Sequence, residues 1–263
     1  MNTISRNANA ILALAYRDLL KFMRDRVRLV STLIFPLIFI AALGGSLQAN
    51  LGATIGYDFV TFTLTGVFAQ TLFQSSALGL ISLIEDREND FSQEIFISPI
   101  SRYSIIFGKI VGESLVAFSQ GIVIVLFGLI MGVSYTWSQI AVLIPVAIVV
   151  CLLGGAFGVV ILGNLSSQRA ASQIFPFILL PQFFLAGVFN PIQQLPIYLD
   201  VFSRIAPLRY AVDFARAAFY AGQPEFDRVV LASVAFNLMI IVAMFVAFLA
   251  FGTWSFVRAE RNR

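Results

Sequence analysis

Residues 85–102, EDRENDFSQEIFISPISR, form a charged, amphipathic island between two long apolar runs, at 59–84 and 105–132. Runs of that length meet the ~20 residues a helix needs to cross a hydrocarbon core, so the island is where the chain turns through water between two spans. The rest of the sequence repeats the pattern. Of 263 residues, 59% are apolar and 12% charged, against about a quarter charged in a soluble domain, and the mean hydropathy is +0.90. An integral membrane protein is expected, long enough for about six spans but not for a further soluble domain of ordinary size.

Working outward, the apolar runs predict an all-α fold of six transmembrane helices at 29–48, 59–84, 105–132, 140–163, 172–189 and 229–254, in one domain covering 1–263. An even number of spans puts both termini on one side. Arg6, Arg17, Lys21, Arg24, Arg26 and Arg28 precede the first span, Arg87 and Arg102 flank the island, Arg169 follows the fourth span, and Arg258, Arg261 and Arg263 close the chain. The excess of Lys and Arg on cytoplasmic segments assigns all of these, and both termini, to the cytoplasm. The turns at 49–58 and 133–139 have neither Lys nor Arg and read as external. The opening residues lack the basic start, apolar core and small-residue cleavage site of a signal peptide, so the first span is expected to be retained.

Two segments depart from simple spans. At 7–27, Ile11, Leu12, Ala15, Leu19 and Phe22 fall near one helical face, with Arg17, Asp18, Lys21 and Arg24 largely elsewhere. This predicts a basic amphipathic helix on the membrane surface, serving either as a lipid anchor or as a dock for a cytoplasmic partner. The segment 190–228 is too apolar for an ordinary solvated loop. It reads as two short helices, 195–205 and 208–220, re-entering from the external side, with Asp213 and Arg216 placed to pair on one face. A plain external loop is the alternative.

Within the island, Glu85, Asp86, Glu88, Asp90 and Glu94 form an acidic patch, while Phe91, Ile95 and Phe96 can line one side of a short helix. Ser92 or Asp90 can cap its start and Pro99 limits its end. An apolar knob within an acidic rim can seat in a cleft on another protein; a solvated turn between spans explains the same residues as well.

Several functions are disfavoured. With no histidine and only Cys151, inside an apolar run, the chain has no disulfide framework and no His/Cys metal site, and nothing to activate a nucleophile. A net charge of +3 comes mainly from membrane-flanking residues and does not indicate nucleic-acid binding. No GxxxxGK[ST] loop is present to cradle ATP phosphates. An ion-coupled transporter usually carries ionisable groups near the midplane, whereas Asp58, Lys109, Glu113 and Arg169 sit near span ends, with Lys109 and Glu113 placed to neutralise each other one turn apart. Glycines four apart, at Gly108 and Gly112, Gly128 and Gly132, and Gly154 and Gly158, predict close helix contacts within one subunit.

The order of a basic entry helix, two spans, an acidic segment ending in Ser98-Pro99-Ile100-Ser101-Arg102 and Gly108-Lys109, further spans, and a stretch from Leu180-Pro181 to Arg216 containing LAGVFNPIQQLP and IAPLRYAVDFAR resembles an ABC exporter permease. The resemblance is to the six-span type-two permeases, also grouped as type V exporters, including the daunorubicin-resistance and nodulation-factor export permeases. It covers essentially the whole chain. Asn89-Asp90 stands where many relatives have a small pair such as Gly-Thr.

The resemblance implies a permease subunit in the cell inner (plasma) membrane, working as two copies with a separate nucleotide-binding subunit that holds ATP and magnesium, and with no cofactor of its own. It also implies that 85–102 is the ATPase-coupling segment, through Glu85, Asp86, Asp90, Phe91, Glu94, Ile95, Phe96, Pro99 and Arg102. Relatives line the substrate pathway with spans two and five, which here contribute Phe62, Phe68, Gln70 and Phe73, and Phe177, Pro181, Phe183 and Phe184. Such a surface favours a large amphipathic or flat hydrophobic substrate: a drug, antibiotic, lipid or glycolipid. An ATP-independent transporter or channel, and a membrane anchor without transport, are the alternatives.

Overall fold

Helix α4 (Phe59–Gly79) lies at the centre of the molecule because its sequence, FVTFTLTGVFAQTLFQSSALG, has no polar face, and nearly all of its side chains are buried. It opens on Asp58, whose carboxylate accepts from the Thr61 N–H at 2.8 Å and satisfies a free donor of the first turn. The structure is a computed structural model and describes residues 3–88, 102–162, 165, 167–193 and 195–261. Around α4 pack α6 (Arg102–Ile130), α7 (Trp137–Leu162) and the short α10 (Pro207–Phe219).

Among the described residues, five helical stretches are long and apolar enough to cross a membrane: Arg26–Asn50, Phe59–Ile84, Ser104–Ile130, Trp137–Ile161 and Phe226–Ser255. They match the first four expected spans and the last to within a few residues. The first is assembled from α2 (Arg26–Phe39), a π-helical turn at Ile40–Gly44, and α3 (Gly45–Ile55). The expected span at 172–189 is α8 (Gln168–Leu185), 18 residues with Pro176 and Pro181 inside it and a polar first turn at Gln168 and Arg169. It does not reach the length and apolarity of the other five.

Two short helices stand in the expected re-entrant segment: α9 (Ile197–Ile205), with Pro196 at its N-cap rather than in its first turn, and α10. Ala206 between them is extended, as the residue before Pro207 must be, and Pro207 begins α10 where its missing N–H is not needed. Helix α10 is buried over nearly its whole length, among α4, α7, α8 and α12 (Val234–Arg261), whereas α9 leaves Ile197, Tyr198, Val201, Phe202 and Ile205 exposed. A single turn, α11 (Phe226–Val229), leads into α12.

Helix α1 (Thr3–Arg24) packs along α6, and its inward stripe departs from the expected one at two positions. That stripe is Ala15, Asp18 and Phe22, buried, with Ile11 and Leu14 half-buried beside them. Leu12, from the expected apolar face, is outside with Tyr16 and Met23. The partner surface explains the change: α6 presents Gly108 and Gly112 one turn apart. A Cβ on Gly112 would stand 3.0 Å from the Ala15 Cα, and one on Gly108 3.2 Å from the Ile11 Cα, so the two backbones approach as small residues allow.

The other glycine pairs divide. Gly154 and Gly158 bring α7 onto the backbone of α4 at Phe73 and Ala77, while Gly128 admits the Tyr135 hydroxyl and a Leu64 methyl. Gly132 instead ends α6 with a φ of 88° and packs against nothing. Cys151 is buried in α7, as a packing residue would be.

Candidate functional site

Two groups of buried charged residues lie at opposite ends of the bundle. At the end where α2 and α6 begin, Lys109 is 1% exposed. Its ammonium lies 3.2 Å from Asp18 Oδ2 and 3.3 Å from Oδ1, and donates to the Ser82 hydroxyl at 3.1 Å. Ser82, on α5 (Ile81–Glu88), lies 3.2 Å from Glu113 Oε1 and 2.6 Å from the Gly79 carbonyl. Arg17 donates to Asp18 at 2.9 and 3.0 Å, and Arg28 approaches Glu113 Oε2 at 3.7 Å. Gly79 makes the room, because a Cβ there would overlap the Glu113 carboxylate.

The cluster therefore joins α1, α2, α5 and α6. Lys109 and Glu113 meet through Ser82, and the direct carboxylate partner of Lys109 is Asp18, 91 residues away. Burying such charges is tolerable only when each is paired and hydrogen-bonded.

At the other end, Asp213 and Arg216 do not pair as the sequence suggests. Asp213 reaches the start of α12 and accepts from the Leu231 N–H at 2.7 Å, the Ala232 N–H at 2.9 Å and the Asn237 amide at 2.7 Å. Burial holds its carboxyl above the usual range, against the pull of these donors and of Arg216. Arg216 turns the other way, donating to the Val188 carbonyl at 3.1 Å and the Phe62 carbonyl at 3.3 Å, with its guanidinium carbon 3.6 Å from the centre of the Phe62 ring. Burial lowers its pKa to about 10, so it remains charged at neutral pH.

Around this group the loops are tied to each other. Arg228 donates to the Gly56 carbonyl at 3.0 Å, and the Gln193 amide to the Arg228 carbonyl at 2.7 Å. On the surface, Asp200 accepts from Arg204 at 2.8 Å and Arg209 at 3.1 Å, and these hydrogen bonds, Arg209's first, hold its carboxyl below the usual range.

The arrangement is that of a helical membrane protein, with α5 ending at Glu88 and α6 beginning at Arg102 on either side of the charged segment. A model of the ABC-2 type transporter family matches residues 9–220 of it. The chain belongs to the ABC-2 type transporter family. Among the relatives of this ABC-2 permease, it is 24% identical to the "Putative transport permease ycf38" of Cyanophora paradoxa over 207 residues, 77% of this chain and 71% of the relative. It is 21% identical to "Nodulation protein J" of Rhizobium leguminosarum bv. viciae, covering 74% and 76% of the two chains, and 24% identical to the "Probable multidrug ABC transporter permease YbhR" of Escherichia coli (strain K12), covering 53% and 38%.

Of the ABC-2 permease's expected coupling residues, Glu85 and Asp86 lie in α5 and Arg102 opens α6; Asp90, Phe91, Glu94, Ile95, Phe96 and Pro99 lie outside the described residues. The expected pathway residues separate by exposure. Phe62, Phe68, Gln70 and Phe73 are buried in α4 and Phe183 is buried in α8, while Phe177, Pro181 and Phe184 are exposed on α8. The fold thus does not gather them on one open surface of the single chain. Gln70 Oε1, though buried, has no hydrogen-bond partner among the described residues.

Sequence reasoning missed the Asp18–Lys109 junction and the bonding of Asp213 to the turn before α12. A lysine beside a glycine pair in an apolar helix was the available signal for the first; Asn237, six residues past Leu231 at the head of the last span, was the signal for the second.

Proposed function

We propose that the chain is the membrane permease subunit of an ATP-driven exporter, powered by a separate ATPase subunit with its own ATP and magnesium, and acting as two copies in the cell inner membrane with both termini cytoplasmic. The observation that carries this reading is the family match over residues 9–220, which spans the island at 85–102 and implies an associated ATPase. Its support in the structure is the pair of roots, α5 and α6, that bracket the island at the basic end of the bundle. The Lys and Arg at that end support a cytoplasmic placement of it.

The proposed transport step is a population shift. ATP closes the ATPase pair, the segment 85–102 moves with it, and the two permeases exchange an inward-open for an outward-open arrangement that binds the substrate differently. The exposed aromatic face of α8, Phe177 and Phe184 with Pro181 between them, supports a pathway between copies for a large amphipathic or hydrophobic substrate. The name of the Escherichia coli relative, a probable multidrug ABC transporter permease, points the same way.

The test is co-purification with candidate ATPase subunits in lipid. The unaltered chain should hold its ATPase, and replacing Phe91, Ile95 and Phe96 together with Ser should abolish the complex while leaving membrane insertion intact. Retention of a working complex by the triple variant would remove the coupling assignment. If no complex forms with the unaltered chain, an ATP-independent transporter or an anchor replaces this reading.

A further inference from the structure

Three observations at the basic end of the bundle converge on one ammonium group. Lys109 is almost fully buried, yet it sits near the start of α6, the helix that leaves the 85–102 segment. Its hydrogen-bond partner Ser82 lies on α5, the helix that enters that segment. Its ion-pair partner Asp18 lies on α1, on the stripe that the glycine groove of α6 draws in to backbone contact.

Neither packing nor lipid anchoring requires this. Apolar side chains at positions 18 and 109 would bury the same interface without desolvating two charges, and a buried ion pair is weak as a source of stability. What a buried pair does supply is geometry. An ammonium has three donors and no acceptor, and here its contacts fix it to a carboxylate of one helix and a hydroxyl of another. Glu113 continues the chain of contacts from Ser82 to Arg28 at the head of the first span.

We propose that Lys109 is a positioning residue for coupling: a buried clamp that makes α1 and the two roots of the 85–102 segment a single rigid unit. This rests on the coupling role of that segment under the function proposed above. The helix α1 is then a lever rather than a lipid anchor. When the segment is displaced, α5, α6 and α1 move together, and Arg28, through Glu113, carries the displacement to the first span at its base.

The experiment measures distances between spin labels at Tyr16→Cys and Phe107→Cys, both exposed and on α1 and α6 respectively, in a Cys151→Ala background in lipid nanodiscs. With the ATPase bound, the native distance should be a single narrow peak. It should agree between the nucleotide-free and the ATP–vanadate-trapped complex within about 2 Å, the scale of ordinary helix adjustment at an interface. Ser82→Ala, which keeps the Asp18–Lys109 pair, should broaden the peak, and Lys109→Met should broaden it further and separate the two states. Lys109→Arg, which retains a buried cation, should restore the narrow peak.

A native distance that shifts between states by more than about 2 Å, or a peak that stays narrow and fixed in both Ser82→Ala and Lys109→Met, overturns the clamp. If Lys109→Met does not fold, the Ser82→Ala comparison decides alone. If the native chain binds no ATPase, the functional reading fails, but the widths of the native and Ser82→Ala peaks in the permease alone still test the clamp.

Discussion

The two ends of the bundle treat buried charge in opposite ways. At the end of the re-entrant helices, Asp213 and Arg216 form no direct ion pair and bond mainly to the backbone: Asp213 to N–H groups of the turn before α12, with Asn237 beside them, and Arg216 to carbonyls of α4 and of the turn after α8. At the basic end, Asp18, Lys109, Ser82 and Glu113 bond to one another across helices far apart in sequence. A charge bonded to main-chain groups is held by partners that cannot move unless the backbone itself does. A charge bonded to another side chain is held by groups that can exchange partners. The first end is built as a bolt, the second as a joint.

The comparison can be broken most sharply at Lys109. Replacing it with Met leaves the buried Asp18 with only the more exposed Arg17 as its cation, and the expected loss is about 3 kcal/mol, the lower end of what removing one partner of a buried pair costs. Reversible unfolding in mixed micelles would measure it. Adding Asp18→Asn should recover part of that loss; a double variant as unstable as the sum of the two single changes would show that the pair is not coupled.

A smaller effect is expected from Asp213→Asn, which keeps the shape but places an amide N–H₂ where donors converge. A cost of about 1–3 kcal/mol follows from unmatched buried donors, and hydrogen exchange should speed first at Leu231 and Ala232. Combined with Arg216→Met, it should show a smaller coupling energy than the Asp18 and Lys109 pair, because the two outer residues hold different partners. Equal coupling at both ends would erase the distinction between bolt and joint.

The smallest effect belongs to Asp200, exposed between Arg204 and Arg209. Its lowered pKa means that its contribution is complete above the ordinary carboxylate range near 4 and is lost as pH falls through its lower folded value. Asp200→Asn should therefore lower stability slightly at neutral pH, where that contribution is complete, and the two unfolding profiles should converge as pH falls below the folded pKa of Asp200.

The sequence was most legible where one physical term dominates. Desolvation alone marks apolar runs, so five spans fall within a few residues of their expected limits, and Pro207 with the extended Ala206 divides α9 from α10 as the apolar pattern suggests. It was least legible where the partner of a residue lies elsewhere in the chain. Asp18 looks like a polar-face residue until Lys109 is placed beside it, and Leu12 looks inward-facing until the groove of Gly108 and Gly112 chooses the neighbouring stripe. Local spacing offered Asp213 and Arg216 to each other, and tertiary geometry supplied better partners to both. The fifth expected span, 172–189, corresponds to a shorter helix, Gln168–Leu185, which starts four residues earlier on a polar turn and carries two prolines.

The separation of Asp18 from Lys109 also sets an order of events during synthesis. The 91 residues between them take on the order of ten seconds to emerge from a ribosome at ~5–20 residues per second. Through that interval the newborn N-terminal helix carries an acidic residue whose final partner does not yet exist. It must wait at the membrane surface, held by its exposed leucine, tyrosine and cationic side chains, until the helix that carries Lys109 has been inserted. The maturation of this permease is therefore expected to be late and abrupt, with α1, made well before α6, among the last segments to find its place.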